Sequence, residues 1–156
     1  MRPVLLLSFA LALAGCVAPI HEFRNQFRDE DFAAIPVTGS GIITGQAFLK
    51  TMGGDVKFGA GNPVDLIPQT PYTLERFGNA GADEQMPPRP PALAKYVRTT
   101  QADGNGNFEF RDVPAGKYIL HCAISWSVSQ YELTGGNAFA LVTVEDGKTV
   151  KAVVTR

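Results

Sequence analysis

YVRTTQADGNGNFEFRDVPAGKYILHCAISW, residues Tyr96 to Trp126, holds the strongest strand and turn signals in the chain. In Asp103-Gly104-Asn105-Gly106-Asn107, glycine and asparagine supply the positive φ values that a tight hairpin needs and bulkier residues avoid. Two strands therefore meet at this point. Phe108 and Phe110 alternate with Glu109 and Arg111, the period-two signature of a strand with one buried face. Pro114-Ala115-Gly116 reverses the chain again, and Lys117 to Trp126 reads as the next strand. Alternation there puts Tyr118, Leu120, Cys122, Ile124 and Trp126 on the inward face and His121 on the other.

The flanks continue the pattern. Ile42 to Lys50 reads as a strand whose buried face its composition leaves open, and Val56 to Ala60 as a short edge segment. Val64 to Pro68 follows, with Val64 and Leu66 inward. After Trp126, residues Ser127 to Asn137 read as a connection punctuated by Gly135-Gly136-Asn137. Phe139 to Glu145 and Thr149 to Thr155 are the last strands, joined at Asp146-Gly147, with Val150, Ala152 and Val154 sharing a face.

From Thr99 to Tyr118 the pattern T-x-x-D-x-x-G-x-F-x-F-x-x-V-P-x-G-x-Y resembles the carboxypeptidase regulatory-like domain. Gly41-Ile42-Ile43-Thr44-Gly45-Gln46 is similar to that family's opening strand and Val64-Asp65-Leu66-Ile67-Pro68 to its second. The resemblance implies an all-β fold, a single seven-stranded transthyretin-like (prealbumin-like) β-sandwich over residues 39–156 with a long Pro-rich insertion. It also implies an accessory, adhesive or binding module, since the family shares no catalytic motif.

At the other end, MRPVLLLSFALALAGC has a basic start, a short apolar run and small residues before Cys16, the layout of a secretory signal. The run from Val4 to Ala14 falls well short of the roughly 20 residues that span a bilayer. Leu13-Ala14-Gly15-Cys16 resembles the bacterial lipobox. That resemblance implies a signal peptide over residues 1–15, diacylglyceryl transfer to the Cys16 thiol, and acylation of the new amino terminus. Residues 16–38 are then a tether. Val17 in place of aspartate implies the outer membrane of a Gram-negative cell envelope.

Phe23 and Phe27 stand at i, i+4, the spacing of a helical turn, and with Phe32 they predict a tether partly docked on the domain. Between Pro68 and Tyr96 the strand pattern breaks into PQTPYTLERFGNAGADEQMPPRPPALAKY, far longer than a hairpin connection. Thr73 to Phe77 predicts a short helix capped by Thr73 and stopped by Gly78-Asn79, and Met86 to Pro91 predicts an extended polyproline segment. The expectation favoured for this insertion is a solvated crossover between the sheets. The functional alternative is a contact surface made by Tyr72, Arg76, Phe77 and Arg89.

Chemical constellations are few. Once Cys16 is modified, Cys122 is the single thiol left, and its place among Leu120, Ile124 and Trp126 predicts core packing. His121 points away from it, which disfavours a Cys-His pair. Asp103, Asn105, Asn107 and Glu109 alternate like calcium ligands, but an EF-hand needs glycine where Phe108 stands and glutamate where Pro114 stands. Transthyretin-like hydrolases use several histidines and a tyrosine-rich C-terminus, whereas this chain ends VKAVVTR and has only His21 and His121. The net charge of −1 gives no footprint for nucleic acid.

The expectation is thus an outer-membrane lipoprotein with no enzyme activity, no metal and no cofactor beyond the covalent lipid. Its sandwich serves as a structural or protein-binding module for an envelope protein. The alternative is a carbohydrate-binding accessory module, for which an exposed aromatic row drawn from Tyr72, Phe77, Tyr96 or Tyr131 would be the sign.

Overall fold

A computed structural model describes residues 20–78, 87–130 and 132–156. Its strands are β1 (Gly41–Lys50), β2 (Val56–Phe58), β3 (Pro63–Pro68), β4 (Arg98–Gln101), β5 (Asn107–Val113), β6 (Gly116–Ser129), β7 (Glu132–Val144) and β8 (Thr149–Val154). They form two four-stranded sheets. In the first, β1 is central, with β8 parallel to it on one side; on the other side β5 pairs with its first half and β2 with its last three residues. The second sheet runs β4-β3-β6-β7, all antiparallel. The expected all-β sandwich is therefore present with eight strands, the short edge piece β2 being the addition to seven.

The core follows from period-two alternation. Ile43, Ala47 and Leu49 of β1, Val64 and Leu66 of β3, Phe108 and Phe110 of β5, and Leu120, Cys122 and Ile124 of β6 are all buried between the sheets. The face of β1, open in the sequence, is thereby fixed. Val154 at the end of β8 is completely buried, and Ala152 nearly so. Trp126 is half-buried and packs against this core.

The β4–β5 turn shows why its sequence reads as it does. The Asp103 carboxylate accepts from the Asn105 and Asn107 amides, both at 2.8 Å, and from the Asn107 side chain. Those donors, the Asn107 side chain first, hold the Asp103 carboxyl below its usual range. Gly106 has φ of +77°, and a Cβ there would lie 2.5 Å from the Ala47 carbonyl oxygen. Turn chemistry accounts for the Asp103 carboxylate, and Glu109, beyond the turn, pairs with Arg111.

Four expectations are corrected. Residues 127–137, read as a connection, instead extend both strands into an arm: β6 continues to Ser129 and β7 begins at Glu132. Gly135 marks close packing within that arm, since a Cβ there would fall 2.1 Å from the Ile124 carbonyl oxygen across the strand pair.

The described parts of the insertion are not a solvated crossover. They form α1 (Pro71–Gly78) and a 3-10 turn over Pro91–Tyr96, and these cover the outer face of β3 and β6, where Ile67 and Ile119 are buried. The cap of α1 is Thr70 rather than Thr73: the Thr73 amide donates to Thr70 Oγ1 and the Thr70 amide to Thr73 Oγ1, in a reciprocal pair. Pro90 is in polyproline geometry, as the proline run requires. Asn79 and Met86 lie outside the described residues.

The tether docks, but without the helical turn expected at Phe23 and Phe27. Its only described helical piece is a 3-10 turn at Asp29–Phe32. Phe32, Tyr72 and Leu93 form a second small core, with Phe23, Phe27 and Tyr96 packed against it. Each of the three buried side chains contributes roughly 1.5–3 kcal/mol by leaving water.

Candidate functional site

Strand alternation in β3, β6 and β7 sends Asp65, His121, Asn137, Phe139 and Leu141 to the outer face of the second sheet. His121 stands directly across from Phe139 in the register, and buried Ile119 across from Leu141, which is 58% exposed. Helix α1 ends beside this face and lays Phe77 against His121, with ring centroids 5.3 Å apart. The Arg89 guanidinium lies over the Phe77 ring, 5.4 Å from its centroid. Phe77, His121 and Phe139 thus make a half-exposed ring surface at the junction of insertion and sheet.

Polar groups rim it. His121 Nε2 shares a hydrogen bond of 3.1 Å with Asn137 Oδ1. Burial holds the imidazole below its ordinary pKa, against the hydrogen bond to Asn137, so the neutral ring is the favoured form at pH 7. Asp65 accepts from Thr99 Oγ1 at 2.8 Å and faces Arg89 at 3.4 Å. Asparagine, carboxylate and guanidinium around a ring face can both stack a flat apolar ligand and exchange hydrogen bonds with its edge.

Of the contact residues expected from sequence, Phe77 and Arg89 belong to this surface. Arg76 sits behind it, donating to the Tyr72 hydroxyl at 3.2 Å and the Pro87 carbonyl at 2.7 Å, with its guanidinium over Phe23. Tyr72 is only 3% exposed and packs against Phe23 and Phe27, so it holds the tether and offers nothing to a partner. Tyr96 is likewise engaged with Phe32. Tyr131 and Cys16 lie outside the described residues.

Cys122 is buried in the core, where burial pushes its thiol up to about 11. His121 projects from the opposite face, so the two do not pair. Among the described residues no three His, Cys, Asp or Glu side chains gather as a metal site. A broad concavity on the first sheet is lined largely by Thr44, Gln46, Asn107, Glu109 and Lys151, with no exposed ring for a ligand to stack on.

A crystal structure of a candidate carbohydrate-binding protein from Pseudomonas aeruginosa superposes with a TM-score of 0.72 at 30% identity, covering 85% of this chain and 99% of that one. The chain belongs to that protein's family. GBS52, a minor pilin of Streptococcus agalactiae, aligns at 18% identity with a TM-score of 0.40 over 76% of this chain and 44% of the pilin, a likeness too slight to bear on function. No protein-family model and no curated protein matches the chain.

In this family member the outer-face residues Asn137, Phe139 and Leu141 escaped the sequence reading for one reason. With 127–137 taken as a connection, the register of β7 against β6 had no anchor, and Phe139 could not be placed beside His121. The signal was available in the odd-numbered positions 133 to 141, which alternate with small residues in the manner of a strand.

Proposed function

We propose that this chain is a noncatalytic binding module of the bacterial envelope, carried on the outer membrane by lipid at Cys16, and that it takes a polysaccharide segment on the Phe77, His121 and Phe139 surface. The observation that carries the reading is the meeting of those three rings with Asn137, Asp65 and Arg89 on one open face. A sugar presents an apolar C–H face bounded by hydroxyls, and such a ligand needs a ring to lie on and donors and acceptors at its edge. The family relationship to a candidate carbohydrate-binding protein supports the same ligand class, and the resemblance of residues 99–118 to carboxypeptidase regulatory-like domains agrees with an accessory role.

Binding to immobilised envelope polysaccharides, followed by titration calorimetry on any hit, tests this reading. Phe77→Ala and Phe139→Ala should each weaken binding at least ~10-fold, about 1.4 kcal/mol, with the strand spectrum intact. Full affinity in both variants would remove the surface from the proposal. Anchoring has its own test: Cys16→Ala should leave an unprocessed or soluble protein, and normal cleavage with detergent-dependent membrane retention would refute lipidation.

A protein partner is the second reading, and a separate observation favours it. Leu133 and Leu141, 73% and 58% exposed, lie on the same face of β7 as Phe139. A longer apolar strip of this kind suits a protein surface better than a sugar. Crosslinking in intact cells that returns one specific envelope neighbour, with no polysaccharide bound, would decide for it.

A further inference from the structure

A second site lies at the opposite margin of the insertion, between the docked tether and the end of the sandwich. There a cavity of about 510 Å³ opens between Leu66 and Pro68 of β3, Tyr118 of β6, and Pro114 on one side, and Phe32 and Pro36 of the tether on the other. Its size falls within the range of small-ligand sites, and its walls are mainly apolar.

Two cations reach it, Lys95 and Arg98, and their surroundings differ. Lys95 is 2.9 Å from the Asp29 carboxylate, which also accepts from the Tyr96 hydroxyl, so its charge is already answered. Arg98 donates only to backbone: Nη1 to the Asp112 carbonyl at 3.0 Å and Nη2 to the Arg111 carbonyl at 2.6 Å. Carbonyls orient a guanidinium without cancelling its charge. Among the described residues no carboxylate pairs with Arg98, and three of its five N–H donors stay uncommitted.

The backbone that fixes it is itself constrained. Asp112 is the one described non-glycine residue with positive φ, 54°, and it is the residue whose carbonyl Arg98 holds. Such a conformation persists only where its surroundings enforce it. On the cavity wall the Tyr118 hydroxyl is already committed, donating to the Pro114 carbonyl at 2.9 Å. The arrangement is a rigid, uncompensated cation at the edge of an apolar pocket.

We propose that this cavity binds a small amphiphilic carboxylate, its acid group on the free N–H donors of Arg98 and its aliphatic or aromatic body against Leu66, Pro68, Pro114 and Tyr118. A planar fork matches a carboxylate with two parallel hydrogen bonds, and the apolar walls reward a hydrocarbon body rather than a sugar. Because Phe32 and Pro36 close one side, the ligand also ties the tether to the sandwich. This site shares no residue with the ring surface above, and it stands or falls independently of polysaccharide binding.

The test is titration of the full chain with 1-naphthoate and with its uncharged counterpart 1-naphthalenemethanol. The acid should bind at least ~10-fold more tightly than the alcohol, and Arg98→Gln should erase that preference. Ala33→Trp, at an exposed tether position lining the cavity, should block the acid while leaving the fold unchanged even if Arg98→Gln proves unstable. Arg89→Gln, on the other face, should bind like the parent. Equal affinity for acid and alcohol, no binding of either, or undiminished binding in Ala33→Trp would overturn the proposal.

Discussion

Phe32 lies flat on Tyr96, with 4.2 Å between ring centroids and 13° between their planes. One ring comes from the segment ahead of the sandwich and the other from the end of the insertion, so the stack joins two parts of the chain that share no strand. With Phe32 only 2% exposed, Phe32→Ala should cost roughly 3 kcal/mol in urea unfolding if the tether belongs to the folding unit. An unchanged midpoint would mean that the tether docks without contributing to stability.

Glu75 provides the polar half of the same attachment. Its carboxylate accepts from the Arg24 amide at 2.8 Å, the Asn25 amide at 2.9 Å and the Asn25 side chain at 2.8 Å, with His21 at 3.4 Å. Glu75→Ala leaves two tether amides without an acceptor. Trypsin should then cut after Arg24 and Arg28 about 10-fold faster, while the strand circular dichroism signal stays as it was. Glu75→Gln, which keeps an acceptor oxygen, should fall between the two.

Acid should release the tether in a defined window. The Arg24 amide first, then the Asn25 donors and His21, hold the Glu75 carboxyl at about 2 against its ordinary 4.5. A carboxyl depressed in the docked form stabilises docking fully above pH 4.5, and that contribution fades as pH falls towards 2. Amide exchange at Arg24 and Asn25, corrected for its intrinsic pH dependence, should accelerate across that interval. In Glu75→Gln the corrected rate should be flat there; the same acid response in that variant would assign it to another group.

Cys122 should be inert in the native protein. It is fully buried with its thiol raised to about 11, so a thiol reagent at pH 8 should label it only as fast as the domain unfolds. Cys122→Ser puts a hydroxyl where no partner awaits it and should cost about 1–3 kcal/mol, more than Cys122→Ala if the thiol acts as a small apolar filler. Prompt labelling under native conditions would argue against that placement.

Local chemistry made much of this fold readable. The Asp103–Asn107 turn, the inward rows of β3, β5, β6 and β8, and the docking of a tether bearing Phe23, Phe27 and Phe32 all follow from short-range pattern. What escaped depended on tertiary context. The Gly135-Gly136 pair signals a turn when read alone, yet here Gly135 marks a strand pair packed too closely for a Cβ. Pro-rich composition around residues 87–91 suggests exposure, while Leu93 just beyond it is completely buried beneath the tether. The ring surface required the first of these to be known, because Phe139 meets His121 only once β7 is in register. Tyr72 was a contact candidate as part of a long loop; it serves a contact within the chain itself.

The parallel pairing of β8 with β1 also bears on how the protein comes to be folded. Ile42 through Ala47 stand beside Thr149 through Val154, so β1 finds a neighbour among residues made much later. Antiparallel hairpins such as β6–β7 can close as they emerge from the ribosome, but the sheet containing β1 cannot be completed until residue 154 has been synthesised. Such late closure of distant segments is slow, leaving a nascent chain open to chaperones until β8 arrives.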